Sequence, residues 1–354
     1  MSTFYVAPGG TGTSLNHWST GLTPGDLETT INSNTSLAPG DEIWVLQGNY
    51  LLRNPLAINM PLCLYGGFLG NEITLAQRNA SIICNNASFP NFFQTPSILN
   101  GAAHGGHIIG IAPVNYCVID GFVIESGGIP NAGVGGGIYA MGNNNFSSPL
   151  SLENLVFRDN NAQTGGGAYI ENCSVALLKN VIFYKNNVGG DGGGLFMKGC
   201  QNVKFVNGLF YDNQANRGGG VFVMNSLNTE IINNTFSTNI AGIGSGIYCD
   251  NSAANMNINV FNSILYPDQF DTNPGAIRTV NYCLLGQNNI PGIGNIPLIN
   301  PLFIIGGVNF HLQPISVCID SGNVNLVIQS ANTDLEGNTR FLGNRVDMGA
   351  FECF

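Results

Sequence analysis

Charge is the scarcest resource in this chain. Only 9% of its 354 residues are charged, and Lys and Arg together number 11. Ordinary soluble proteins carry about 25% charged residues. No basic stretch occurs, and the formal net charge is −10. Non-specific nucleic-acid binding needs cations that neutralise phosphates, so that class is set aside. An anionic membrane surface would repel the chain as well. No apolar run reaches the length of a membrane-spanning helix, so no transmembrane segment is expected. No leader precedes Phe4-Tyr5-Val6, which reads as a first strand. The expectation is an export leader already removed or another route out of the cell.

Paired cysteine motifs are missing too. The nine cysteines are odd in number and form no C-x-x-C pair, which fits neither a disulfide scaffold nor a zinc site. Most are expected in the core as small apolar residues. What the chain does have is glycine, 48 residues of it, beside abundant asparagine and a 44% apolar content. A large core with many turn formers and few charges points to an all-β protein with frequent tight turns.

A repeat organises these residues. Glycine triplets or near copies begin at Gly135, Gly165, Gly192, Gly218 and Gly244, spaced by 30, 27, 26 and 26. In phase with them runs Phe-x-x-Asn: Phe157 to Asn160, Phe183 to Asn186, Phe210 to Asn213 and Phe236 to Asn239. Three residues before each Phe stands Asn154, Asn180, Asn207 or Asn233. Ten before stands Ser147, Cys173, Cys200 or Ser226. A solenoid of coils explains such columns. Each strand pairs in parallel with its equivalent one coil on, about 4.8 Å away, so identical residues stack. Apolar columns fill the interior, asparagines take turn positions and bond along the axis, and glycines supply positive φ. Cys173 and Cys200 stack inside as thiols, with a disulfide as the alternative.

The resulting expectation is one right-handed parallel β-helix over residues 1–354, with roughly 9–12 coils and an axis of about 45–55 Å. Residues 1–40 are read as an N-terminal cap region, with a short helix over Leu27 to Ile31 led in by Thr23-Pro24-Gly25-Asp26. Residues 41–295 hold the coils. Residues 296–354 are read as an irregular C-terminal cap, because an open solenoid end exposes core and unpaired strand edges.

The Gly-Gly-Gly-Ile-Tyr and Phe-x-x-Asn elements resemble the repeats of polymorphic outer-membrane proteins and of secreted bacterial β-helix proteins. The start is similar as well: Gly40-Asp41-Glu42-Ile43-Trp44-Val45, Tyr65-Gly66-Gly67-Phe68 and Gln77-Arg78-Asn79. So is the end: Thr333-Asp334-Leu335-Glu336-Gly337-Asn338, Arg340, and Val346-Asp347-Met348-Gly349-Ala350-Phe351-Glu352. The resemblance implies a pectin-lyase-like fold, an extracellular or cell-surface location, and adhesin-like, structural or polysaccharide-associated roles. It does not imply one activity.

Two columns are candidate sites. Tyr139, Tyr169, Phe196, Phe222 and Tyr248 follow the glycine triplets, and strand alternation turns them away from the inward-facing neighbours. As an outward ladder they would stack on sugar rings or anchor a partner. The competing reading is a ladder that lies under a loop or simply stabilises the sheet. Asp159, Lys185 and Asp212 stand two residues after successive Phe positions. A β-eliminating lyase needs a base beside a uronate and a cation for its carboxylate, and this column supplies both types. The competing reading is a plain surface ion-pair stack, as for Glu171 with Lys198. His104-Gly-Gly-His107 offers two metal ligands without a third, so no metal is assigned, and Ca²⁺ enters only if the chain is a lyase. Three functions follow. The first is an exported, non-enzymatic surface or matrix protein, whose partner is a cell-surface or matrix component, a polysaccharide or a second copy. The second is a lyase or hydrolase on an acidic glycan. The third is a carbohydrate binder without turnover.

Overall fold

The computed structural model describes residues 1–12, 17–18, 24–78, 96–142, 149–252, 256–273, 276–288, 290–305, 309–327, 332–341 and 345–353. Thr23, Asn79, Cys84 and Ser147, named or counted above, lie outside them. The described residues form a right-handed parallel β-helix.

One parallel sheet runs the length of the molecule. Its rungs start at Thr3–Val6, Glu42–Leu46, Leu62–Phe68, Cys117–Glu125, Pro149–Arg158 and Val175–Tyr184. They continue, each as a pair of short strands, through Val203–Val206 with Leu209–Tyr211, Thr229–Ile232 with Thr235–Ser237, Asn257–Phe261 with Ile264–Leu265, and Ile277–Asn281 with Leu284–Leu285. Ile296–Pro297 is the last. Eleven rungs among the described residues lie within the expected 9–12 coils. Ten spacings of about 4.8 Å make an axis of about 48 Å. A second sheet of eight strands, from Leu56–Ile58 to Phe270–Thr272, forms the other main face.

The register explains the repeat. Phe157, Phe183, Phe210 and Phe236 pair in line, point inward and stack with centroids 4.5, 4.9 and 4.7 Å apart. The asparagine three residues on turns the chain and is fully buried at Asn160, Asn186 and Asn213. Each Nδ2 donates to the next Oδ1, from Asn160 to Asn186 (3.0 Å), Asn213 (2.9 Å) and Asn239 (2.8 Å). The second hydrogen of Asn186, Asn213 and Asn239 goes to the carbonyl of Phe157, Phe183 or Phe210. A buried amide thus leaves no donor or acceptor without a partner, as burial requires.

The other asparagine column makes a corner. Asn154, Asn180, Asn207 and Asn233 all have φ between 50° and 55°. Asparagine tolerates this left-handed conformation better than most side chains.

The N-terminal helix is present at Leu27–Asn32, capped by Asp26, whose side chain accepts from the Thr29 amide at 2.9 Å. Leu27 and Ile31 enter the coil core. The rung Thr3–Val6 precedes the helix, so the cap is an excursion from the first coil rather than a segment ahead of it.

The C-terminal region lies outside the coils. The solenoid end is covered earlier, by the loop between Leu285 and Ile296. Gln287 presents its side-chain amide to the Phe270 backbone like a further strand, accepting at 2.7 Å and donating at 3.0 Å. Asn295 does the same for the Cys283 amide and the Val280 carbonyl. Residues 298–353 lie back along the flank of the long sheet. Phe303, Phe310, Leu335, Met348 and Phe351 pack on its outward Ile182, Leu209, Ile264 and Leu284. These outward residues are apolar, and burying them on the flank satisfies more surface than a lid across one coil could.

Candidate functional site

The aromatic column is where the sequence placed it and does not do what an exposed ladder would. Tyr139, Tyr169, Phe196, Phe222 and Tyr248 occupy one register on the second sheet. Their neighbours Ile138, Ala168 and Leu195, and Ala140, Ile170 and Met197, fill the core. The aromatics therefore point away from the core, yet they form a buried cluster of their own. Tyr169, Phe196, Phe222 and Tyr248 are 9%, 6%, 1% and 5% exposed. Tyr169 stacks on Phe196 at 5.0 Å and Phe196 on Phe222 at 4.9 Å, so each ring face is taken by the next ring. The glycine turns close over the edges: at Gly192, with φ +69°, an added Cβ would stand 2.8 Å from the Phe196 Cβ. Arg217 lies over Phe222 and Tyr248, 5.0 and 5.5 Å from their centroids. It is held by Asp191 at 2.7 Å and Asp250 at 3.4 Å, and the bond to Asp191 pushes its pKa further up. Glu171 and Lys198 form the expected ion pair, at 2.7 Å.

The charged column is a row of turn tips. Asp159, Lys185 and Asp212 have φ of 54°, 52° and 54°, and Thr238 continues the row at 59°. Lys185 is exposed. Its ammonium sits over the Tyr184 ring, 4.8 Å from the centroid. Asp212 accepts from the Thr238 hydroxyl at 2.7 Å. Contact with Tyr184, then the charges of Asp159 and Asp212, push the Lys185 pKa up. A general base at neutral pH needs the opposite shift, so this lysine is a poor proton acceptor.

The histidine pair is a turn that opens a cleft. His104 closes a turn on the Gly101 carbonyl, and its Nδ1 accepts from the Gly106 amide at 3.2 Å. His107 packs against Tyr139, 5.7 Å between centroids, at the head of the aromatic column. Burial pushes both imidazole pKa values down, and His104 adds to the effect on His107. Beside them lies a cleft of about 490 Å³, lined by Gly105, His107, Ile129, Val134, Tyr139 and Asn161 among others. Its overhang is the loop that carries Ile129 and Val134, 49% and 39% exposed, and which anchors to the next coil through the Gln163 amide. No third His, Cys, Asp or Glu joins the pair among the described residues. Among those residues, no helix is long and apolar enough to cross a membrane.

A family model described as a right-handed beta helix region matches residues 107–295. The chain belongs to the right-handed β-helix family. No curated protein is matched by the chain.

In this β-helix the matched span ends where the flanking segment begins, and a cluster of buried charges lies beyond it. Arg340 is wholly buried and forms an ion pair with Glu352 at 3.2 Å. It also donates to Asn207 Oδ1 at 3.0 Å and to the carbonyls of Gly349 and Ala350. Asp334 accepts from the amides of Glu336, Asn338 and Glu352, and Asp347 from those of Asp320 and Cys353. Burial, then the charge of Asp347, raises the Glu352 pKa to about 8. The Asp-Leu-Glu-Gly-Asn, Arg and Asp-Met-Gly-Ala-Phe-Glu motifs thus build a polar clamp that ties residues 333–352 to the corner asparagines. A second polar line starts at Arg78, paired with Asp120 at 2.6 Å. It runs through Asn154 and Asn180 to Asn207. In the sequence most of these residues stand out as repeat positions or points of resemblance, and nothing there implies this contact. Spacing relates neighbouring coils, not a tail 133 residues away.

Proposed function

We propose that this β-helix is an exported, non-enzymatic protein with an adhesin-like or structural role at the cell surface or in the matrix. One observation carries the reading: the side chains best suited to chemistry are spent on contacts between coils. The ladder rings cover one another, and the asparagines saturate each other from coil to coil. A stack of this kind makes a stiff rod with a long flank. Covered edges at the C-terminal end, where Gln287 and Asn295 occupy the backbone groups, favour a partner on the flank over end-to-end fibres. Sedimentation velocity over a rising protein concentration, alone and with acidic or neutral polysaccharide, tests this. A monomer that associates with an intact surface component agrees with it. Concentration-dependent filaments would instead favour assembly through the ends.

A carbohydrate-binding reading has one specific support. Tyr139 is the least covered ring of the column and borders the cleft with His107, Ile129 and Val134. Retention on immobilised glycan should then fall for Tyr139→Ala and stay unchanged for Phe196→Ala. Equal retention of both variants and the parent would remove the cleft from consideration. The lyase or hydrolase reading, with Ca²⁺ as its helper, keeps only the fold analogy behind it.

A further inference from the structure

We propose that Cys173 and Cys200 close into a disulfide between successive coils when the chain folds in the presence of a disulfide oxidant. The pair follows from register. Glu171 pairs with Lys198, and the Gln201 amide bonds the Cys173 carbonyl at 2.9 Å, so Cys173 and Cys200, each two residues beyond that pair, stack. In-register parallel neighbours stand about 4.8 Å apart. Disulfides span Cα separations of about 4.4–6.8 Å. Both side chains point into the core, 4% and 0% exposed. The two thiols act on each other: Cys200 lowers the Cys173 pKa, and burial, then Cys173, raises that of Cys200. Cys63, Cys117 and Cys249 have no cysteine as strand partner: Cys63 faces Glu42 and Val118, Cys117 faces Leu62 and Leu150, and Cys249 faces Val223 and Thr272. One coil further on, the position is Ser226, whose hydroxyl accepts from the Cys200 amide at 3.1 Å. Serine therefore fits the site.

The chemistry is ordinary exchange. One cysteine thiolate attacks a small disulfide and displaces a thiolate, leaving a mixed disulfide. The second cysteine thiolate attacks the protein sulfur and releases the other half of the reagent. Two protein thiols are oxidised, one reagent disulfide is reduced to two thiols, and the protons pass to the departing thiolates. Because the folded coils bury both sulfurs, the exchange belongs to folding or local opening. The bond ties two coils directly beneath the aromatic column and limits the unfolded chain.

That the native compartment is oxidising rests on the export reading; the pairing does not. The test refolds the full reduced chain with oxidised glutathione, alkylates it and maps the peptides. The expected result is a 173–200 link with seven free thiols of the nine. The thermal midpoint should rise by several degrees over the reduced protein, and Cys173→Ser and Cys200→Ser should both abolish the rise while folding normally. Nine alkylated thiols, or a link elsewhere, would overturn the pairing. A link that forms on refolding but is missing from protein taken from its producing cells would overturn the export reading and leave the pairing intact.

Discussion

The Nδ2 of Asn239 donates to Oδ2 of Asp268 at 2.6 Å, and the Asn239 backbone amide reaches the same carboxylate at 3.1 Å. This bond ends the buried ladder that begins at Asn160. Every asparagine before it both donates and accepts. The aspartate only accepts, so it closes the row without leaving a donor in need of a further coil.

That terminator makes stability depend on pH. Burial raises the Asp268 pKa from 3.8 to about 7, against the lowering effect of the Asn239 bonds. In the unfolded chain the carboxyl loses its proton first, so between about pH 4 and 7 the unfolded state binds fewer protons. Stability therefore falls as pH rises through that window, by at most about 4 kcal/mol. Asp268→Asn removes the titrating group and should flatten the decline of the thermal midpoint between about pH 4 and 8, whatever its added donor costs at any one pH. Parallel pH profiles for the two proteins would refute this.

Asn186→Ala removes the acceptor of the Asn160 amide and side chain and the donor to the Phe157 carbonyl, while Asn213 Oδ1 keeps only the Asn186 backbone amide. Leaving such groups buried costs about 1–3 kcal/mol apiece. A total loss of about 3 kcal/mol, read from chemical denaturation, is expected. A change below 1 kcal/mol would mean that water replaces the amide.

Arg340→Met leaves Glu352 buried without its partner and Asn207 without its donor. Breaking a buried pair in this way costs about 3–5 kcal/mol. The flanking segment should loosen before the coils do. Limited proteolysis is expected to cut within residues 298–353 while the coils resist. Unchanged cleavage would show that the apolar packing alone holds the segment.

Phe196→Ala opens a gap in the aromatic column and should cost about 3–5 kcal/mol. Lys185→Ala should change stability by less than about 1 kcal/mol, because its contact with Tyr184 is at the surface. Thermal denaturation of the pair of variants checks the contrast, and a reversed order would contradict the assignment of core and tip.

The coils were legible because a solenoid repeats its physics. Phe157, Phe183 and Phe210 recur at the rung period, and parallel register makes that period visible as columns. The direction of the aromatic column was legible from strand alternation. Its burial was not, because coverage comes from stacked neighbours and from turns such as Gly192, whose closeness depends on φ. The flanking segment was hidden for another reason. Its contacts join residues with no common period, as Arg340 joins Asn207, and their sequence signal is only a set of scattered Asp, Arg and Glu residues. Lys185 stands between two aspartates in the column, where residue type alone offers a base and a cation for a lyase; the left-handed turn lays its ammonium on Tyr184.

The aromatic and asparagine columns hold the coils together, and a non-enzymatic β-helix built this way turns over no glycan. Incubation of the full chain with acidic and neutral polysaccharides, with and without Ca²⁺, followed by size-exclusion chromatography, tests this most directly. Glycan chain length should stay unchanged under every condition. Progressive shortening of any one polysaccharide would contradict it.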